Sequence, residues 1–396
     1  FYTEGNSKVE QGTKTITNTF EVPNEKTQVQ VTKVWNDNGN VANKRPTNVT
    51  IVVEGDQNPT LPGNEVSKEY TLTETNAGTN TNEWTYTFND LPKYDIYGNE
   101  INYTVVEKAT GSIFYTESNT NITGDMKEGY TITNTFEVPN TPIMVLVSKI
   151  WDDNNNTANK RPATVKVTLT GTPTTGEPII REAELTSQDV NAEDTNRWDY
   201  IFENLPKLDS NGNEIVYTVE EQNLDSIFYT QENTRVTGTQ TEGYVITNTF
   251  EVPNDTVEEL VTKVWDDNNN IAQKRPENVT VIVEGDQNPT QEGNEVSKEY
   301  TITEANKNAS NENEWTYTFN DLPKYDIYGN EINYTVSEKA TGSIFYTEGN
   351  TQITGDQEQG FTITNTFEVP NDTVDVPITK IWNDSNNTAN KRPTNV

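Results

Sequence analysis

The sequence predicts an all-β protein built from tandem two-sheet sandwiches in an elongated rod. Three observations carry that expectation. The phrase "ITNTFEVPN" stands at 16–24, 132–140, 246–254 and 363–371, and self-similarity at a fixed period marks a repeat architecture. Within each period, short segments alternate apolar and polar residues as half-buried strands do. Asn-Gly, Pro-Lys and Asp-rich clusters separate those segments and read as turns.

The repeat sets the domain organisation. Trp35, Trp151, Trp265 and Trp382 lie 116, 114 and 117 residues apart. Three complete repeats follow, at 25–140, 141–254 and 255–371. They are flanked by the C-terminal part of a preceding repeat (1–24) and the N-terminal part of a following one (372–396). Repeats 1 and 3 are nearly verbatim, sharing "NDLPKYDIYGNEINYTV" at 89–105 and 320–336, whereas repeat 2 reads "ENLPKLDSNGNEIVYTV" at 203–219.

In repeat 1 the alternation places strands at 29–35, 48–53, 84–88, 101–107 and 130–136. Trp84, Tyr86 and Phe88 share one face while Thr85 and Thr87 take the other. Six to eight short strands in about 115 residues suit a sandwich. The joints, "EVPN" plus a few polar residues, hold a proline and no glycine. They are too short to act as flexible tethers, so neighbouring repeats of the same chain are the first partners.

Composition narrows the chemistry. The 396 residues include no cysteine and no histidine, which removes disulfides, thiol nucleophiles, Cys/His zinc sites and Ser-His-Asp triads. With 28 basic and 62 acidic residues the net charge is −34, a surface that repels nucleic acid and anionic membranes. The longest apolar run, Ile143–Val147, is far too short to span a bilayer. "NDNGN", "DDNNN" and "NDSNN" after the tryptophans lack the spaced ligands of a calcium loop and read as solvated turns. In "ANKRP" (42–46, 158–162, 389–393; "AQKRP" at 272–276), Lys and Arg read as surface partners for carboxylates, or as an anion contact. No cofactor and no metal is expected.

Three inward rows contain a residue that does not belong in a core. In the first, Val31, Lys33 and Trp35 share a face, as do Val147-Lys149-Trp151, Val261-Lys263-Trp265 and Ile378-Lys380-Trp382. In the second, Glu107 follows Tyr103 and Val105; Glu221 and Glu338 repeat the pattern. In the third, Asn134 sits between Ile132 and Phe136, as Asn248 and Asn365 do in their repeats. The Lys-to-Glu spacing is 74, 72 and 75 residues, and Glu-to-Asn is 27 in all three. A buried lysine tends to lose its proton and a buried glutamic acid to keep one. A neutral amine beside a carboxamide polarised by an acid can attack it, expel ammonia and leave a Lys–Asn isopeptide bond. The same residues also read as a buried, hydrogen-bonded cluster with no covalent bond.

The K-[VI]-W strand, the "YTVxE" strand and the final "ITNT" strand, in that order and repeated, resemble the collagen-adhesin B-type (CnaB) domains of Gram-positive surface proteins and pilins. The resemblance covers the three full repeats and both partial ends. It implies an inverse immunoglobulin-like sandwich whose first and last strands are joined by an isopeptide bond, promoted by a carboxylate from mid-domain. Carried over residue by residue, the crosslinks are Lys33–Asn134, Lys149–Asn248 and Lys263–Asn365. Their promoters are Glu107, Glu221 and Glu338. Asn18 and Lys380 match the motif without their partners.

The function expected is therefore a stalk or fibre segment, extracellular and anchored to the cell wall, with only single-turnover self-crosslinking as chemistry. The alternative is an adhesin region whose repeats bind a host or matrix ligand, where identical copies would serve multivalency. Association of identical chains in a fibre is also open, including strand complementation between the incomplete ends. A glycosidase with paired carboxylates fits poorly, because each inward carboxylate is single.

Overall fold

The computed structural model describes residues 1–10, 12–56, 66–222, 224–287 and 296–396. Regular structure in them is β-strand, with a few single-turn 3-10 segments. No helix among the described residues is long and apolar enough to cross a membrane. The chain divides into two compact units, one of residues 1–155 and 162–249, the other of 156–161 and 250–396.

The chain opens on a hairpin of β1 (Ser7–Glu10) and β2 (Thr15–Asn18). Repeat 1 then supplies β3 (Lys26–Asn36), β4 (Asn48–Gly55), β5 (Ser67–Thr73), β6 (Glu83–Pro92), β7 (Tyr103–Glu107), β8 (Thr120–Asp125) and β9 (Gly129–Thr135). They form two facing sheets, in the orders β6-β3-β9-β8 and β5-β4-β7. Strands β5 and β8 escaped the sequence reading. Of β5 only Leu72 is buried and of β8 no residue is, so neither carries the alternating buried row that marks a strand in a sequence.

Repeat 2 reproduces the plan with β10 (Pro142–Asp152), β11 (Thr164–Thr172), β12 (Ile179–Thr186), β13 (Arg197–Pro206), β14 (Val216–Glu221), β15 (Thr234–Thr239) and β16 (Gly243–Thr249). Its sheets run β13-β10-β16-β15 and β12-β11-β14. Repeat 3 has β17 (Thr256–Asp266), β18 (Asn278–Gly285), β19 (Ser297–Thr303), β20 (Lys307–Asn308), β21 (Asn311–Pro323), β22 (Tyr334–Glu338), β23 (Thr351–Asp356) and β24 (Gly360–Thr366). The small β20 extends one edge, giving β20-β21-β17-β24-β23 opposite β19-β18-β22.

Two features position the site. The first and last strands of each repeat are parallel neighbours at the centre of the larger sheet: β3 with β9, β10 with β16, β17 with β24. Among the described residues the other strand pairings are antiparallel, so the chain crosses the whole sandwich before its end returns beside its start. The core between the sheets is aromatic and β-branched. In repeat 1, Val29, Val31 and Trp35 of β3 meet Val49, Ile51 and Val53 of β4, with Trp84 and Tyr115 packed edge-on to Trp35.

Candidate functional site

In β3 the inward face reads Val29, Val31, Lys33, Trp35, and Lys33 is wholly buried. The register pairs Lys33 with Ile132 and Trp35 with Asn134. Asn134 therefore lies diagonally across from Lys33 on the same face, the distance at which long side chains still meet. Glu107 comes from the opposite sheet, at the end of β7. One lysine, one asparagine and one glutamate thus converge from two sheets.

Lys33 Nζ lies 3.6 Å from Glu107 Oε2, and Asn134 Nδ2 donates to Glu107 Oε1 at 2.6 Å. In repeat 2 the Lys149–Glu221 distance is 3.9 Å, and Asn248 donates to Glu221 at 2.6 Å. In repeat 3 the distances are 3.6 Å for Lys263–Glu338 and 2.7 Å for Asn365–Glu338. Each lysine amine also sits over the tryptophan two residues on, 4.1, 3.7 and 4.3 Å from the ring centre. Each donates to the backbone carbonyl of the residue that follows it, at 3.0 to 3.2 Å. The remaining carboxylate oxygen and the asparagine Oδ1 are buried without a hydrogen-bond partner in all three repeats. Orphaned buried acceptors are costly, and here they recur together.

Burial governs the electrostatics. It pulls the Lys33 and Lys263 amines down to about 8, against the opposing pull of Glu107 and Glu338. Burial also pushes the Glu221 carboxyl up, opposed by Lys149 and by the Asn248 hydrogen bond. The amines of repeats 1 and 3 thus lose a proton more readily than a free lysine, and the carboxyl of repeat 2 holds one more readily than a free glutamate. A protonated glutamic acid would donate to Asn Oδ1 once the carboxamide turns over, which satisfies that orphaned acceptor and polarises the carbonyl.

The structure corrects the reading of the loops after Trp35, Trp151 and Trp265. Asp37 is not solvated but buried, because it continues the inward row of Lys33 and Trp35. Nor is Arg45 a surface ion-pair partner. Its guanidinium holds Asp37 through Nε–Oδ2 at 2.8 Å and Nη2–Oδ1 at 2.6 Å, and lies 5.4 Å from the Trp35 ring centre. Tyr115 adds its hydroxyl to Asp37 at 3.0 Å. Asn38, Asn40 and Asn43, all at positive φ, curl the loop so that residue 45 returns over residue 35. Repeat 3 matches with Asp267, Arg275 and Tyr346, and in repeat 2 Tyr229 donates to the buried Asp153 at 2.9 Å. Trp35 is thus covered by one cation on its outer side and approached by the lysine amine. The signal was available: Asp37 stands at the next inward position.

Asn18 and Lys380 are exposed. Ser7 Oγ donates to Asn18 Oδ1 at 2.8 Å. Lys380 lies 5.0 Å from the Trp382 ring centre, in a segment that forms no strand. Even there Arg392 grips Asp384 at 2.8 and 2.7 Å, so the Asp–Arg unit forms from local contacts alone.

Tandem two-sheet sandwiches, each with its first and last strands paired in parallel in one sheet, define the class of protein as a β-sandwich repeat chain. The chain belongs to the Cna protein B-type domain family, whose model matches residues 29–135, 145–249 and 260–366. It is 34% identical over 393 residues to a collagen adhesin of Staphylococcus aureus, a match that covers 99% of this chain and 27% of that protein. The chain therefore spans about a quarter of that relative's length. Among solved structures, it is similar to two B repeat units of the collagen binding protein of Staphylococcus aureus. That match has 29% identity, 93% and 82% coverage of the two chains and a TM-score of 0.32. The open conformation of the pilus adhesin SpaC from Lactobacillus rhamnosus GG aligns at 12% identity, with 93% and 46% coverage and a TM-score of 0.22. Family membership rests on the domain matches and the sequence identity.

Proposed function

We propose that this chain is a stalk segment of a Gram-positive surface protein, outside the cell and attached to its wall. Its units, 25–140, 141–254 and 255–371, each lock themselves with one Lys–Asn isopeptide bond. The observation that carries the reading is the threefold convergence of a buried lysine, a buried glutamate and an asparagine whose Oδ1 has no partner. In repeat 1 the Lys33 ammonium gives a proton to Glu107, and the neutral amine attacks Asn134 Cγ. The Nζ–Cγ bond forms and the Cγ–Nδ2 bond breaks. Glu107 relays one proton from Nζ to Nδ2, and ammonia leaves. Glu221 and Glu338 act likewise on Lys149–Asn248 and Lys263–Asn365. The glutamates are single-use acid–base groups and the chain has no turnover.

Such a bond closes a loop of about 100 residues, worth about 4.7 kcal/mol in the chain-entropy model. Against a net stability of roughly 5–15 kcal/mol for a domain, that is a large share. It also ties the strands where the chain enters and leaves the sandwich, so tension passes through a covalent link. Intact mass under denaturing conditions tests the reading. The expected result is a deficit of three ammonias in the wild type, with one restored in each of Glu107→Ala, Glu221→Ala and Glu338→Ala. A mass equal to that of the unmodified chain would leave only a buried polar cluster.

A second reading, matrix binding by these repeats, is favoured by one observation, the similarity to a protein named for collagen adhesion. Retention of the chain on immobilised collagen checks it.

A further inference from the structure

The loop after β7 carries Phe114, stacked on Phe136 with ring centres 5.5 Å apart. The Phe114 ring also packs on Gly212 of repeat 2, where a Cβ would overlap the ring carbons. Lys44 completes the contact. Its amine lies 5.6 Å from the Phe114 ring centre and donates to Asn213 Oδ1 at 3.2 Å.

The same arrangement occurs one repeat earlier. Phe1, stacked on Phe20 at 5.6 Å, packs on Gly98 of repeat 1, where a Cβ would again meet the ring. Phe1 and Phe114 hold equivalent places. The carbonyl of each accepts an asparagine side-chain amide at 2.9 Å, from Asn6 and Asn119, and a backbone N–H at 3.1 Å, from Glu21 and Glu137.

The receiving turn is rigid. Asp209 Oδ1 accepts from the backbone N–H of Asn211 and of Asn213, each at 2.9 Å; Asp95 does the same with Tyr97 and Asn99 at 2.8 and 2.9 Å. Backbone conformation alone does not demand glycine at its tip. Gly98 and Gly212 have φ of 83° and 73°, yet this chain places asparagine at positive φ in many turns, Asn38 and Asn154 among them. What only glycine permits is the close approach of an aromatic ring.

We propose that this aromatic-on-glycine contact is the docking joint between consecutive repeats. Two stacked phenylalanines and a lysine of one repeat recognise the glycine turn of another repeat of the same type. Repeat 3 carries the same platform: Phe345 and Phe367 stack at 5.5 Å, and Lys274 lies 5.7 Å from the Phe345 ring centre. Its partner is therefore another Asp-x-x-Gly-Asn turn of a repeat of this kind. The joint does not depend on the Lys–Asn bond, whose presence the mass of the same samples reports separately.

The chain has no cysteine, so spin labels at Asn121→Cys and Glu220→Cys report the distance between repeats 1 and 2 by double electron–electron resonance in the full chain. The wild type should give one narrow distribution. Gly212→Asn, which keeps the left-handed turn but adds a Cβ, and Phe114→Ala should each broaden it about two-fold or more. The double variant should broaden it no further than either single one, as coupled positions require. Gly39→Asn, at φ 72° with open space around it, is the control and should change nothing. Repeat-resolved hydrogen exchange confirms that both sandwiches remain folded. Unchanged distributions in Gly212→Asn and Phe114→Ala, or broadening that adds in the double variant, would overturn the proposal.

Discussion

Repeats 1 and 3 are nearly the same sequence, and their buried lysine sites agree closely: 3.6 and 3.6 Å for Lys–Glu, 2.6 and 2.7 Å for Asn–Glu. They differ four residues before the lysine. Val29 of β3 is replaced in β17 by Glu259, wholly buried, with neither carboxylate oxygen hydrogen-bonded. Burial pushes the Glu259 carboxyl up to about 7. Burial pushes the Tyr334 phenol up to about 12, with the Glu259 charge contributing, and burial brings the equivalent Tyr103 of repeat 1 to about 12 as well. One strand position thus gives repeat 3 a titrating core carboxyl that repeat 1 lacks, while the Lys–Glu–Asn geometry stays the same. The lysine site is held by register and by the facing sheet, and neither feels a change at that position.

The largest effect expected tests the likeness. Arg45→Gln and Arg275→Gln leave Asp37 and Asp267 buried without their charge partner, a loss on the order of 3–5 kcal/mol. Hydrogen exchange read separately on β3 and β17 should show equal losses in the two repeats; unequal losses would mean that the sites are not equivalent. Burial would raise the Asp37 and Asp267 carboxyls, but the arginine and its accompanying hydrogen bonds hold both below the usual range. Their contribution is therefore present above the unfolded carboxylate pKa and lost as pH falls through the folded one. The arginine variants should flatten this acid limb.

The next effect tests the difference. Glu259 has a raised folded pKa, so the folded state holds its proton more tightly. The stability it allows is complete below about 4.5 and is lost as pH rises to about 7. Repeat 3 should be weaker than repeat 1 by on the order of 3 kcal/mol at pH 8 and closest to it near pH 4. Glu259→Val should erase the gap and Val29→Glu should install it in repeat 1. Thermal unfolding with repeat-resolved hydrogen exchange at the two pH values decides; a gap independent of pH would defeat the explanation.

The smallest effect is that of the tyrosines. Tyr115→Phe and Tyr346→Phe each remove one hydroxyl from the same aspartate network, worth about 1 kcal/mol. Equal small shifts in urea midpoint are expected in both repeats. A shift confined to one would place a further difference between them near Trp35 or Trp265.

Much of the architecture could be read from the chain. Period-2 burial is a local property, so β3, β4, β6, β7 and β9 showed in the alternation, and the inward positions of Lys33, Glu107 and Asn134 followed from the same rule. The edge strands β5 and β8 did not show, since neither buries a full row. Asp37 was misjudged because an Asp/Asn-rich loop reads as solvated when taken residue by residue. Only its place in the row of Lys33 and Trp35 marks it as buried.

The sequence by itself determined the repeat, the strand faces and which residue types point inward, because each depends on neighbours one or two positions away. Tertiary structure decided the rest. The parallel pairing of β3 with β9 brings residues 101 positions apart to adjacent places on one face, and the opposing sheet delivers Glu107 to both. It also folds Arg45 over Trp35, seats Phe114 on Gly212 and buries Glu259 without a partner. Each of these depends on which surfaces meet, and a one-dimensional pattern specifies a face but not what lies against it.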